Sequence, residues 1–283
     1  MNRTSKELKR LSRQSLLGNY GLVILALFLT QLITNVVISP FQAQMQNYSR
    51  SASLAELNMA LPADNQLAVS PGSFPIWALV AMIIIALLAT VLMAGEQKIH
   101  LALARGNKLP ISTLFSEFKN RPDRYIVYTL LNVVITLACI LPLIIIMAII
   151  SVNVVPNGAT IAIVSVAFTI ALCVIVIFIQ LRISLSIYFL LDNPSLGAMG
   201  AIKESFRTMK GHCWRRLYID LSFIPMGILV VLSLGIAGLW VQPYMYQVNA
   251  YFYIDTIGEI DRKIEEERRM EEEMGPMLTD EKF

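Results

Sequence analysis

YIVYTLLNVVITLACILPLIIIMAIISV, residues 125–152, runs for 28 residues without an Asp, Glu, Lys, Arg or His. About 20 apolar residues suffice for an α-helix to cross roughly 30 Å of hydrocarbon. A helix on the surface of a water-soluble domain carries an apolar stripe and a polar back, whereas this one is oily on every side. Composition points the same way: 56% of the 283 residues are hydrophobic and 15% are charged. A soluble domain needs about 25% charged residues to keep its surface wet. The chain therefore reads as all-α, a polytopic membrane helical bundle.

Working outward, residues 20–39 form another apolar run, closed by Pro40, and 41–73 is a polar connection. Residues 74–94 make a second span, 125–152 the third, and 161–191 a fourth, interrupted only by Gln180 and Arg182. The last run, 217–257, has 41 residues. As one helix it would measure about 61 Å, twice the hydrocarbon thickness, so it must fold back. Ser233-Leu234-Gly235-Ile236-Ala237-Gly238 supplies glycines for that turn, which gives spans five and six. The first run is longer than the apolar region of a signal peptide and no A-x-A-like site follows it, so it reads as a retained span.

The basic residues set an orientation. Five Lys and Arg precede span one, six lie in 95–124, six in 182–216 and five in the tail; the 40–74 connection has one, Arg50, and the 153–160 and Gly235 turns have none. Thus 22 of 23 fall on alternate connections, and the positive-inside rule assigns that side, with both termini, to the cytoplasm. Even numbers of spans, six here, fit the alternation. Three basic-side segments have the spacing of amphipathic interfacial helices. Residues 193–210 place Leu196, Met199, Ile202, Phe206 and Met209 on a stripe, with Asn193 as cap, Pro194 at the first position and Gly211 as terminator. Residues 112–119 and 5–17 are the others, and the order of a surface helix followed by a hairpin of spans occurs three times. The chain divides into a basic arm, 1–19, a membrane domain, 20–258, and a charged tail, 259–283. In the tail Glu259/Lys263 and Glu265/Arg269 are i,i+4 pairs on a helix that continues span six and breaks at Gly275-Pro276.

Particular residues carry a family resemblance. They are Leu190-Leu191-Asp192-Asn193-Pro194, Ala201-Ile202-Lys203-Glu204-Ser205, Met209-Lys210-Gly211-His212, Trp214-Arg215, Leu221-Ser222-Phe223, Leu234-Gly235-Ile236, Leu239-Trp240 and Pro243-Tyr244. Leu103-Ala104-Arg105-Gly106, Leu114-Phe115 and Phe118-Lys119, with Gly18 and Tyr20 after the basic arm, extend it. In these residues the chain resembles a bacterial multi-pass membrane family, domain of unknown function nine-seven-five. The resemblance implies a helical fold in the cytoplasmic membrane and brings no activity with it.

Ionisable and amide groups within oily segments are the candidate site, because burying a charge in lipid costs about 2.5–3.5 kcal/mol or more. Arg182 in span four and Asp220 in span five lie near the basic ends of their helices, at depths that would let them pair. Span six is polar, with Gln242, Gln247 and Asn249 among its tyrosines. Gln31 and Asn35 of span one and Asn132 and Thr136 of span three are expected to meet it. Pro142, Pro225 and Pro243 should kink their helices. The basic face at Lys203, Arg207, Lys210, Arg215 and Arg216 is a candidate contact for anionic lipid.

Catalytic signatures are missing from the sequence: two histidines, three scattered cysteines, no HExxH, GxSxG or phosphate loop. The expectation is a non-enzymatic protein with no cofactor or metal. Its partners would be membrane lipids, anionic ones first, and a protein bound through the tail; no nucleic acid is expected, since no aromatic-interleaved basic motif occurs. Two functional readings follow: an envelope- or lipid-associated scaffold, and a small-molecule transporter or efflux component with a polar site between spans four, five and six.

Overall fold

The computed structural model describes residues 3–60, 72–153 and 158–280, all helix, turn or coil without a strand among them. The helices in order are α1 (Ser5–Leu16), α2 (Tyr20–Met59), α3 (Ile76–Ala104), α4 (Ser116–Lys119, after a 3₁₀ turn at Ile111–Phe115), α5 (Asp123–Asn153), α6 (Gly158–Ile183), α7 (Ser186–Asp192), α8 (Ala198–Thr208), α9 (Cys213–Leu221), α10 (Ile224–Leu232), α11 (Gly238–Thr256) and α12 (Glu259–Asp280). Residues 61–71 of the polar connection, 154–157 of the turn before span four, and Lys282 lie outside the described residues. Four stretches are long and apolar enough to cross a membrane: Tyr20–Met59, Ile76–Ala104, Asp123–Ile149 and Ile163–Asp192.

The molecule has a packed base and oily shafts. Buried residues gather in the first third of α2 (Val23, Ala26, Leu27, Thr30), the last half of α3 (Val91 to Ala104), the first residues of α5 (Arg124, Tyr125), α7, α9, and the last half of α11. Helix starts alternate with helix ends in this set, so consecutive shafts run antiparallel and the base is the basic side of the sequence. Beyond the base, α10 buries nothing, and no described residue of α5 past Tyr125 is buried. Their Ile, Val and Leu side chains face outward on all sides, the pattern of a helix immersed in lipid rather than wetted on one face.

Several boundaries differ from the sequence reading, each for a local reason. α2 passes through Pro40 and continues to Met59. Proline removes one amide, and the Ser39 hydroxyl donates to the Val36 carbonyl that this leaves short of a partner, at 3.2 Å. The extension is also held from outside, by edge-to-face contacts of Phe41 with Trp77 and of Tyr48 with Phe74. α3 runs ten residues past Ala94. Span four breaks at Ser184-Leu185; the Ser205 hydroxyl of α8 donates to the Arg182 carbonyl at 2.7 Å and accepts from the Leu185 amide at 3.2 Å, so one side chain satisfies both sides of the break. α8 starts at Ala198, with Gly197 rather than Asn193 as its cap, and its buried face is Ala198, Ala201, Ile202 and Ser205. Ile202 and Met209 thus pack into the base while Met199 stands exposed.

The hairpin between α10 and α11 sits where the sequence places it. Leu234 and Gly235 adopt φ of 53° and 92°, and the Gly235 amide donates to the Val230 carbonyl at 2.8 Å. α12 is not a continuation of α11: Gly258, at φ 73°, separates them, and α12 runs through Gly275-Pro276 to Asp280.

α3 meets the 3₁₀ turn at Gly95, where an added Cβ would lie 2.1 Å from the Leu114 carbonyl oxygen. Backbone cannot move aside as a flexible side chain can. Gly95→Ala is expected to lower unfolding stability by about 1–3 kcal/mol, read as a fall in the thermal midpoint in detergent, whereas Gly21→Ala, where nothing lies within 4 Å, should not.

Candidate functional site

Charged groups in the base are joined to one another across helix ends. Arg105 follows the last residue of α3, and Gly106 with φ 87° turns the chain away there. Its guanidinium grips Asp192, the last residue of α7, through two 2.7 Å bonds, and Glu259, the first of α12, through bonds of 2.9 and 2.8 Å. The Tyr253 hydroxyl of α11 donates to the same Asp192 at 2.8 Å. Three helix termini, the ends of α3 and α7 and the start of α12, meet on one fork, the planar donor geometry that matches two carboxylates at once. Hydrogen bonding to Asp192, with Glu259 beside it, holds the Arg105 guanidinium well above its ordinary value.

Asp255 makes a second junction. Its fully buried carboxylate accepts from Arg3 at 2.9 Å and from Arg215, and Arg3 also reaches Asp261 at 2.7 Å. Arg215 and Arg216 lie over the Phe252 ring, 5.1 and 5.5 Å from its centroid. The N-terminal arm is thereby docked on the bundle: Leu8 and Leu16 are buried, and Lys9 sits 4.3 Å over Phe223 while donating to the Ser222 carbonyl. Thr4 and Glu7 close its first turn as a reciprocal cap.

Glu117 of α4 anchors a third. Lys98 and the Tyr125 hydroxyl donate to its carboxylate at 2.7 and 2.6 Å, with Arg124 at 3.8 Å. Burial pushes the Glu117 carboxyl up, but the bonds from Lys98 and Tyr125 and the Lys98 charge outweigh it, so the group titrates below its ordinary 4.5.

Inside the base, α3 and α11 share an uncharged polar layer. His100 Nδ1 and Gln247 Oε1 are 2.8 Å apart, both residues fully buried, and the Tyr188 hydroxyl donates to Gln97 Oε1 at 2.7 Å. A cavity of about 240 Å³ adjoins this layer, walled by α3, α5, α7 and α11 and bearing Gln97, Tyr125, Tyr128, Tyr188, Tyr246 and Asn249.

The residues singled out from sequence do not assemble into one site. Asp220 pairs with Arg216, one turn earlier, at 3.1 Å, and Arg182 forms no ion pair among the described residues. Gln247 and Asn249 reach the polar layer and its cavity, but Gln242, Gln31 and Asn35 are turned away from it, on the outer faces of their helices. Asn132 and Thr136 meet Gln180 of α6 at 3.4 and 3.3 Å, not α11. Of the five cations proposed for lipid, Lys203, Arg207 and Lys210 are exposed, while Arg215 and Arg216 are engaged by Asp255 and Asp220. Asp192, Asp255, Glu117, Glu96 and His100 escape the sequence reading. Glu96 and His100 follow a span drawn only to Ala94, although Ile99, Leu101 and Leu103 carry the apolar pattern onward. Arg105 and Asp192 each lie within a family-like motif, and the structure joins those two motifs directly.

These features define an all-helical bundle whose shafts suit a membrane and whose ionic groups are gathered at one end. The chain belongs to the family described as protein of unknown function (DUF975), whose model matches residues 1–258. No curated protein matches the chain, and no solved structure does.

Because Glu117 titrates low in the folded protein, its contribution to stability is complete above the ordinary carboxylate range and disappears as pH falls through the depressed value. Wild type should therefore lose thermal stability on acidification more steeply than Glu117→Gln, with the variant already weakened at pH 7; parallel acid limbs would exclude this role. Asp192→Asn, which leaves Arg105 with half its grip, should cost about 1–3 kcal/mol at neutral pH, less than a fully buried pair because both groups keep some solvent.

Proposed function

We propose that this is a multi-pass protein of the cytoplasmic membrane with six crossings and both termini in the cytoplasm. In it the membrane-facing side of α8 and α9 binds anionic lipid headgroups, and the bundle serves as a non-catalytic, envelope-associated scaffold. The supporting observation is exposure on two successive helices: Lys203, Arg207 (paired with Glu204 at 3.8 Å) and Lys210 are exposed at and just after α8, and Trp214 and Tyr218 of α9, beyond the turn at Gly211, are 73% and 65% exposed. Trp214 also touches Phe178 of α6 edge to face, ring centroids 6.5 Å apart, so α9 borders an oily shaft. A cationic row with aromatic residues beside an apolar shaft is the chemistry of a headgroup layer, where each cation adds about 1 kcal/mol toward an anionic surface. The six crossings rest on four long shafts plus the α10–α11 hairpin, whose two arms share the turn predicted for spans five and six. α1, α4 and α8 each precede a hairpin and take the interfacial positions in this reading, docked on the base by one face and open to the headgroups by the other.

A small-molecule transporter is the second reading. It draws on the 240 Å³ cavity, not on Arg182 and Asp220, which stay apart.

The purified protein in neutral detergent is expected to bind short-chain phosphatidylglycerol more tightly than phosphatidylcholine, measured by quenching of tryptophan fluorescence. Replacing Lys203, Arg207 and Lys210 together by Gln should weaken that preference roughly ten- to hundred-fold. Equal binding by the triple variant contradicts the lipid role.

A further inference from the structure

Glu96 is a carboxyl group with 1% of its surface exposed, on the part of α3 that packs against α2 and α11. No Lys or Arg among the described residues forms an ion pair with it, in contrast to Glu117, Asp192 and Asp255, which all have a guanidinium or ammonium beside them. An ionised carboxylate in such a place would cost several kcal/mol without compensation. The groups that face it are short of charge as well. Thr30 approaches from α2, Tyr246 from α11 and Tyr188 from α7, with the Arg216 charge of α9 acting on Tyr188; His100, bonded to Gln247, stands one turn further along α3. The Thr30 hydroxyl is 2.9 Å from the Ala26 carbonyl; while its hydrogen is given to Ala26 its oxygen can accept from a protonated Glu96, and when the hydrogen turns to Glu96 it donates to the carboxylate.

Three atoms of this cluster have no hydrogen-bond partner among the described residues: Glu96 Oε1, His100 Nε2 and Gln247 Nε2. With His100 donating through Nδ1 to the Gln247 oxygen, its Nε2 is left with a lone pair and no hydrogen-bond partner among the described residues. Tyr246 connects the layer to the outside of the base, since its ring lies edge-on to His100 at 5.7 Å and also walls the 240 Å³ cavity.

We propose that Glu96 is a proton-binding site, a buried carboxylic acid that takes up a proton in the folded protein and exchanges it with water in the cavity past Tyr246. In the exchange the Glu96 O–H bond breaks, its electron pair stays on the carboxylate, and the proton goes to water in the cavity. Return of the proton restores the neutral acid, so the layer gains no lasting net charge. A hard metal cation fits less well, because it takes six or more oxygen ligands with carboxylates among them, and the cluster presents a single carboxyl among neutral hydroxyls, amides and an imidazole. Among the described residues, no three His, Cys, Asp or Glu side chains converge anywhere. The site goes beyond lipid binding and does not depend on it, since it lies inside the base and not on the α8 face.

Infrared spectroscopy of the full-length protein in lipid vesicles tests this. At pH 7 a protonated-carboxyl stretch is expected in wild type, shifted by ¹³C-labelled glutamate and missing in Glu96→Gln; an unshifted spectrum with only ionised carboxylates overturns the proposal. Glu96→Gln, which imitates the protonated acid, should keep the wild-type melting midpoint at pH 7. Wild type should lose stability faster than the variant as pH is raised, because the folded state prefers the proton. A variant that melts far below wild type at pH 7, or a wild-type midpoint raised by sodium but not by choline, overturns it in favour of an ionised, cation-binding carboxylate.

Discussion

A charge removed from water has to be paired, and that requirement organises the whole molecule. The shafts carry almost no ionisable groups, so the chain's acids and bases collect where the helices begin and end. There they become the joints. Arg105 holds the ends of α3 and α7 and the start of α12 in one fork, Asp255 ties the N-terminal arm to α9 and α11, and Glu117 fastens α4 to α3 and α5. Since most of the burial lies in the base, these joints help fix the relative register of the helices. Breaking one leaves an unmatched charge in a half-dry place, the costly direction of that exchange.

Above the base α5 and α10 have little to hold them but their surroundings. Neither α10 nor the described length of α5 past Tyr125 buries a residue inside the protein, and the small polar contact of Gln180 with Asn132 and Thr136 is a rare cross-link there. In water such shafts would collapse together; in hydrocarbon they gain nothing by doing so, because lipid tails are as apolar as leucine. A densely packed base under shafts with mostly outward-facing apolar side chains is therefore what one expects of a bundle whose solvent changes from water to lipid along its length.

The sequence makes the shafts plain and the joints obscure, and the difference is physical. Apolar runs such as residues 125–152 signal themselves locally, and so does the 233–238 turn, because Gly235 marks the left-handed position at which the chain reverses. The continuation of α2 past Pro40 is hidden, since it rests on Phe41 and Tyr48 touching Trp77 and Phe74, contacts between helices that no local pattern records. The same holds for the ionic joints: Arg105 and Asp192 are 87 positions apart, Arg3 and Asp255 252 apart. Arg182 and Asp220 look like partners because each is isolated in its own span, yet Arg216 lies one turn from Asp220 and takes it first. Glu96 and His100 read as part of a wet connection, because on sequence alone the first charged residue after an oily run marks the end of the span.

The proposed topology requires the ionic base and the α10–α11 turn to lie on opposite sides of a membrane. Single cysteines placed at Leu234, Lys210 and Met270, in a chain whose own Cys139, Cys173 and Cys213 are replaced, allow this to be read in intact cells with a membrane-impermeant thiol reagent. Leu234→Cys should react from outside, whereas Lys210→Cys and Met270→Cys should react only after the cells are opened. Labelling of all three from the same side would contradict the account.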